Sequence, residues 1–264
     1  MKLPFTQIDA FADRPFAGNS AAVIPLDAWL EDEIHQSIAL ENNLAETAFL
    51  VPATGDADYE LRWWTPTVEV AMCGHATLAS GHAILSADPA RDTVRFRTRK
   101  AGVLTVTRQG EGYALDLPVT LMAPGAHPAL LAALGIAGAP LFVSISGAED
   151  TAIVLLESEA AVRALAPDYR ALAAIELMAI VTAPGTSADI ASRVFVSAWG
   201  IDEDPVTGSA HAALVPFWAE RLGRNEFNAF QASARGGHLG CRLAGDRAVL
   251  TGRCVTVIEG IFRL

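Results

Sequence analysis

Two glycine segments stand half a chain apart and repeat one design, which constrains the fold of these 264 residues more than any other feature. They are Met72-Cys73-Gly74-His75-Ala76-Thr77-Leu78-Ala79 and Val206-Thr207-Gly208-Ser209-Ala210-His211-Ala212-Ala213. In each, a glycine among small polar residues opens an apolar, alanine-rich run at helical spacing. The first backbone N–H groups of such a helix have no intrahelical partner, and the helix dipole adds roughly half a positive charge there. Glycine lets a ligand come close to that backbone, so each start is suited to hold an anion such as a carboxylate.

The repetition extends on both sides. Gly74 and Gly208 are 134 positions apart, and Gly102 and Gly237 are 135 apart. Around the second pair, Phe96 to Val106 and Phe230 to Cys241 both read as strand, glycine turn, strand. Upstream, Arg62-Trp63-Trp64 finds a counterpart in Arg193-Val194-Phe195 at an offset of 131. A nearly constant offset over several landmarks predicts two similar halves. The irregular stretch from Pro118 to Pro128 predicts the division, giving domains 1–120 and 121–264.

Composition decides which functions to set aside. With 52% hydrophobic and 19% charged residues the chain is globular, and at this length about 75% of the unfolded surface is expected to be buried. A formal net charge of −11 disfavours nucleic acid as a partner, because phosphates call for basic patches. Charged residues or proline interrupt every apolar run before the ~20 residues of a membrane span. The start, Met1 to Asp9, carries Pro4 and Asp9 where a signal peptide would be apolar, so the expected location is the cytoplasm.

Cys73, Cys241 and Cys254 form an odd set without a close pair, and the six histidines are scattered with no HExxH, so no metal site is expected. There is no GxGxxG after a strand, no GxxxxGK[ST] and no GxSxG around Ser209. The only lysines are Lys2 and Lys100, which leaves a pyridoxal Schiff base almost no candidate. The expected chemistry therefore uses side chains without a cofactor.

The hydrophobic rhythm predicts alternating strands and helices: a strand over 5–11, another from Ala21 to Pro25, a helix over 31–41 ending at Asn42-Asn43, and a strand over 46–51. Strands are expected within 91–106 and over 113–117. In the second half they are expected over 141–145, 152–156, 178–182 and 193–198, with helices near 159–165 and from Thr207.

Four side chains stand out as proton carriers or ligands. Glu46 opens an apolar strand; it is either a solvated strand end or a carboxylate in a dry site, where its pKa would rise toward acid/base work. His75 lies in the first turn of its helix, where the dipole favours a neutral ring. Asp204 precedes Pro205 and the second glycine helix, which suits either a capping carboxylate or a functional one. Cys73 sits at a helix start, which favours thiolate, although a buried inert cysteine is the commoner case.

Taken together, Glu46-Thr47-Ala48-Phe49, Trp64 to Glu69, Cys73 to Ala79, Glu203 to His211 and Gln231 to Gly237 resemble, in order and spacing, the PhzF family of phenazine-biosynthesis isomerase-like proteins. The resemblance runs from the first strand, with its Gly18-Asn19 turn, to the final hairpin. It departs from the family pattern at Ser20, Ala232 and Ala234. It implies an α+β fold of the diaminopimelate-epimerase type: two similar αβ domains, mainly antiparallel sheets wrapped around a central helix, and an active site in the cleft between them.

The implied activity is cofactor-free isomerisation, with a proton taken from one carbon of a small carboxylated substrate such as a dihydro-hydroxyanthranilate and returned to another. By residue carry-over, Glu46 is the shuttle, and His75 and Asp204 assist catalysis. Gly74, His75, Gly208, Ser209 and the neighbouring Cys73 bind substrate. A homodimer is implied as well. Two alternatives stay open: an amino-acid epimerase using Cys73 and Asp204, and a small-molecule binding protein without turnover. Thr207, where epimerases of this fold carry a second cysteine, weighs against the two-thiol form.

Overall fold

The computed structural model describes residues 1–147 and 150–264. In chain order the elements are β1 (Lys2–Ala10), β2 (Asn19–Pro25), α1 (Asp32–Asn42), β3 (Glu46–Pro52), β4 (Tyr59–Trp64), β5 (Glu69–Val70), α2 (Gly74–Ala87), β6 (Thr93–Thr98), β7 (Val103–Gln109) and β8 (Gly112–Pro118). They continue with β9 (Met122–Gly125), α3 (Pro128–Ala133), β10 (Leu141–Ser144), β11 (Thr151–Leu155), α4 (Glu159–Arg163), α5 (Tyr169–Leu172), β12 (Met178–Pro184) and β13 (Ile190–Val196). The last are β14 (Ile201–Asp204), α6 (Gly208–Leu222), β15 (Glu226–Gln231), β16 (Gly237–Ala244), β17 (Arg247–Gly252) and β18 (Cys254–Arg263).

The chain divides into two units, 1–117 with 250–264, and 118–249. The expected boundary at 120/121 thus lies at 117/118, and the expectation that the second unit runs to the C-terminus is corrected. The reason is strand pairing: β18 runs antiparallel along β1 from Lys2↔Arg263 to Ala10↔Cys254, so the last strand completes the first unit. The irregular stretch predicted over 118–128 also holds β9, which pairs antiparallel with β10.

Each unit has the same strand logic. In the first, β1 is antiparallel to β2, β2 parallel to β3, β3 antiparallel to β4, and β4 parallel to β6, which forms a hairpin with β7. In the second, β10 is antiparallel to β11, β11 parallel to β12, β12 antiparallel to β13, and β13 parallel to β15, which forms a hairpin with β16. The parallel pairs need crossovers. Helix α1 makes the first unit's β2–β3 crossover and α4 with α5 the second unit's. Helices α2 and α6 join β4 to β6 and β13 to β15.

Strands covered on both faces lose the alternation of a half-exposed sheet. Residues Glu46–Val51 of β3 are all buried, between α1 and α2, and all seven residues of β13 are buried. Helix α2 is buried from Gly74 to Gly81 and α6 from Gly208 to Val215, so both are central helices without a polar face. On the outer side of the first unit, Ile38 and Ala39 of α1 pack with Phe49, Trp64, Ile24 and Leu26. In the second unit Leu130, Val162 and Leu172, from α3, α4 and α5, pack with Val154, Val181 and Phe195. Each fully buried Phe or Leu contributes about 1.5–3 kcal/mol of transfer free energy.

The hairpin glycines refine the repeat. Gly102 (φ +71°) and Gly236 (φ +64°) hold the left-handed conformation that lets each turn close. They are separated by the same 134 positions as Gly74 and Gly208, so Gly236 rather than Gly237 is the partner of Gly102. Helix α1 stops where the sequence predicts, with Asn43 left-handed at φ 48° and its N–H bonded to the Ala39 carbonyl.

The arginines upstream of the central helices also form equivalent arrangements. Arg62 on β4 makes a bidentate pair with Glu69, Nε to Oε1 at 2.7 Å and Nη2 to Oε2 at 3.0 Å, and lies 5.2 Å from the Trp64 ring centroid. Arg193 on β13 pairs with Glu203 by two bonds of 2.8 Å and lies 5.0 Å from the Phe195 ring. The planar guanidinium suits both tasks, gripping a carboxylate edge-on while stacking on an aromatic face. Glu69 and Glu203 sit just before the segments that lead into α2 and α6.

Candidate active site

In the first unit the loop after β1 is tied down by Asp9, whose Oδ2 accepts the Phe16 amide at 2.9 Å. Gly18 then turns at φ +63°, where a Cβ would collide with the Ala10 carbonyl oxygen. That turn starts β2 with Asn19 fully buried. Glu46 starts β3 in register with Ala21, and Cys73-Gly74-His75 starts α2. Cys73 is the N-cap in an extended conformation, φ −141° and ψ 108°.

These elements bring four side chains together. His75 Nε2 lies 3.0 Å from Glu46 Oε2. His75 Nδ1 lies 3.1 Å from Asn19 Nδ2 and 3.5 Å from Cys73 Sγ. The Asn19 amide nitrogen can only donate, so Nδ1 accepts and the ring carries its proton on Nε2, facing the carboxylate. No aligned hydrogen bond ends on Glu46 Oε2 among the described residues, so the carboxylate keeps an acceptor position open beside the imidazole. Glu46 is 9% exposed. The solvated strand-end reading of this residue is therefore the wrong one.

Glu46, Cys73 and His75 each offer a ligand atom, all within 4.8 Å of one another and all in buried residues. Spacing along the chain could not announce this cluster, because 27 positions separate Glu46 from Cys73.

In the second unit Asp204 ends β14 and is 5% exposed. Its Oδ2 accepts the Thr207 hydroxyl at 2.5 Å. Gln231, at the end of β15, receives the Thr207 backbone N–H on Oε1 at 2.8 Å and donates from Nε2 to the Asp204 carbonyl at 2.7 Å. Thr207 makes no side-chain cap on α6. The first-turn amides of Gly208 and Ser209 are of the kind that receive anions. His211 donates from Nδ1 to the Thr207 carbonyl at 2.7 Å, and burial holds its pKa down to about 4, so the ring is neutral and structural.

The two helix starts differ in one respect. Met178 opens β12 opposite Thr151 as Glu46 opens β3 opposite Ala21, and Ser209 follows the helix glycine as His75 does. The contact equivalent to Glu46–His75 is thus Ser209 Oγ to Met178 Sδ, at 3.8 Å. The second unit keeps the scaffold without the ionisable pair.

The predicted residues fall into two sets: Glu46, Cys73, Gly74 and His75 in the first unit, and Asp204, Gly208 and Ser209 in the second. Asn19 and Gln231 are the neighbours that sequence reasoning did not single out. Asn19 stood in a turn and Gln231 in a hairpin, both within the segments that carry the family resemblance but without a role of their own, and nothing local signals that their amides reach His75 and Thr207. His82 shares a face with His75 as expected, but its ring goes elsewhere, to Tyr113 Oη at 3.0 Å and Thr256 Oγ1 at 2.9 Å.

The profile of the family described as "Phenazine biosynthesis-like protein" matches residues 8–260. An uncharacterized isomerase of Pseudomonas aeruginosa is 49% identical, with both chains covered completely. Among solved structures, a PhzF-family phenazine biosynthesis protein of Enterococcus faecalis superposes with a TM-score of 0.87 at 39% identity, again over 100% of both chains. A hydroxyproline epimerase of Agrobacterium vitis matches with a TM-score of 0.67 at 13% identity, over 98% of this chain and 92% of that one, a likeness of fold alone. Among the described residues, no helix is long and apolar enough to cross a membrane. Two repeated αβ units, each built round a buried glycine-started helix, and relatives of this similarity lead to one conclusion: the chain belongs to the phenazine biosynthesis-like (PhzF) protein family and is an isomerase with an epimerase-like fold.

Proposed function

We propose that this isomerase moves a proton between carbon atoms of a small carboxylated substrate, cyclic and amino-acid-like in the manner of a dihydro-hydroxyanthranilate, without a cofactor. Glu46 takes the proton and returns it. His75, with Nε2 3.0 Å from the carboxylate, helps position the proton and the substrate, and Asp204 assists catalysis. The amides of Gly74, His75, Gly208 and Ser209, with Cys73 beside them, bind the substrate carboxylate. Preorganised amides stabilise the negative charge that develops as the proton leaves carbon. The observation that carries this reading is the buried contact of 3.0 Å between Glu46 and His75, in which Oε2 keeps a free acceptor position. A general base needs a lone pair not committed to another hydrogen bond and a fixed direction. The expected setting is a homodimer in the cytoplasm.

A second reading, epimerisation by Cys73 with Asp204, draws on the 3.5 Å contact of the thiol with His75 Nδ1. One experiment separates the two. Proton NMR in D2O is run on a panel of small carboxylates, including trans-2,3-dihydro-3-hydroxyanthranilate and several amino acids, with wild type, Glu46→Gln and Cys73→Ala. Deuterium entering carbon with wild type and Cys73→Ala, but not with Glu46→Gln, is the expected result. Exchange surviving in Glu46→Gln and lost in Cys73→Ala would transfer the role to the thiol. Tight binding without exchange would leave a binding protein.

A further inference from the structure

We infer that Glu46, Cys73 and His75 form a three-donor site for a thiophilic divalent cation of the zinc class. The donor set is one thiol sulfur, one imidazole nitrogen and one carboxylate oxygen, the combination that zinc and cadmium accept and magnesium and calcium do not. All three ligand atoms lie within 4.8 Å of one another in residues no more than 9% exposed. Tetrahedral bonds of about 2.0–2.3 Å place donors about 3.3–3.6 Å apart. The Glu46 Oε2 to His75 Nε2 separation of 3.0 Å is already close to that edge length. The ring binds through Nε2, whose proton passes to Nδ1 as the Asn19 amide turns over, so that Asn19 Oδ1 accepts Nδ1–H in place of the present 3.1 Å contact through Nδ2. Cys73 Sγ completes the set by a side-chain rotation that brings it from the Nδ1 side of the ring toward the carboxylate.

A second observation supports an occupant here. Oε2 of Glu46 is buried and receives no aligned hydrogen bond although the imidazole is 3.0 Å away, and a buried carboxylate oxygen in that state calls for a further partner such as an ion. Charge also balances, since one carboxylate and one thiolate neutralise a divalent ion. The thiol proton leaves to solvent on binding, with no change of oxidation state. With its amide turned over, Asn19 accepts Nδ1–H and orients the imidazole from outside, as such acceptors do for metal-bound histidines. With three protein donors one coordination position stays open. On the proposed function such an ion is an inhibitor, because it takes the oxygen that accepts the substrate proton.

The test uses the purified full-length chain, freed of metal by chelation and titrated with Co2+ under ultraviolet and visible detection. One equivalent is expected, with a thiolate-to-cobalt charge-transfer band and the visible intensity of tetrahedral cobalt, and Zn2+ should displace it. Cys73→Ser should abolish the thiolate band, and His75→Gln should weaken binding at least ten-fold. No thiolate band in wild type, or a band surviving in Cys73→Ser, would overturn the site. X-ray absorption on zinc-loaded wild type needs no variant to fold: one sulfur with nitrogen and oxygen donors is expected, and either no sulfur or two would refute it. Inhibition is read separately, as at least a ten-fold loss of carbon-bound exchange on loading with Zn2+, reversed by chelator. Exchange that persists in Glu46→Gln would sink the proposed function and leave the metal site standing.

Discussion

Protonation of His35 should decide much of this protein's behaviour in mild acid. The ring is fully buried in an aromatic box, edge-on to Trp29 and Phe49 at 5.7 and 4.6 Å and stacked on Trp64 at 5.8 Å, and both its nitrogens lack a hydrogen-bond partner. Burial, reinforced by the neighbouring Arg62 charge, pushes its pKa down to about 4; Asp32 and Glu69 oppose this and Arg99 adds to it. A base whose folded pKa lies below its unfolded value of about 6.5 leaves the unfolded chain binding more protons, so stability falls as pH drops from about 6.5 to about 4 and is flat above. Integrated between pH 7.5 and 5, His35 alone removes about 2 kcal/mol. The perturbation is His35→Phe, which keeps an aromatic ring in the box and deletes both nitrogens. Urea unfolding is followed at the two pH values by tryptophan fluorescence, since Trp29 and Trp64 line the box. Wild type should lose about 2 kcal/mol more than the variant on acidification, a difference of about 1 M in urea midpoint. At pH 7.5 the variant should be at least as stable, because the two unbonded nitrogens of the His35 ring are gone. Equal losses in the two proteins, within about 0.5 kcal/mol, would refute the assignment, and His211 would be examined in its place.

Two further predictions concern the scaffold. Arg193→Met leaves Glu203 without its bidentate partner and should cost about 3 kcal/mol, whereas Arg193→Met with Glu203→Leu should recover much of that loss; chemical denaturation of the three proteins gives the comparison. Gly81 lies where a Cβ would overlap the Val106 side chain, and Gly138 has nothing within 4 Å. Gly81→Ala should therefore lose about 1–3 kcal/mol, while Gly138→Ala stays within about 0.5 kcal/mol of wild type, as read from thermal melts.

Much of this architecture is legible in the sequence because duplication makes the chain describe itself twice. Gly74 and Gly208, Arg62 and Arg193, and the two hairpin glycines mark equivalent positions, and the apolar runs at 46–51 and 178–182 show where the buried strands lie. What fails is long-range pairing. Nothing in Cys254 to Arg263 says that this strand returns to β1, since the preference resides in a ladder whose other half is 244 to 261 positions away. The site divides the same way. Glu46, His75 and Asp204 are marked as candidates by residue type and place in an element together with the family resemblance. Asn19 and Gln231 are not, because an amide carries no periodicity and its partner is fixed only when the strands register. The metal-ligand cluster is hidden for a related reason: its donors come from a strand start and a helix start, with no shared spacing.

Met178 against Ser209 turns the second unit into an internal control for the first. Both units keep the strand ladder, the left-handed hairpin glycine, the arginine clamped between a glutamate and an aromatic ring, and the amides at the helix start. Only one has a carboxylate facing an imidazole. The copies share a scaffold and a pair of helix-start amides, and the ionisable pair that separates them is what the proposed proton transfer requires. An engineer could read the same contrast in reverse: Met178→Glu with Ser209→His would ask whether the second helix start can accept an ionisable pair on the backbone it shares with the first.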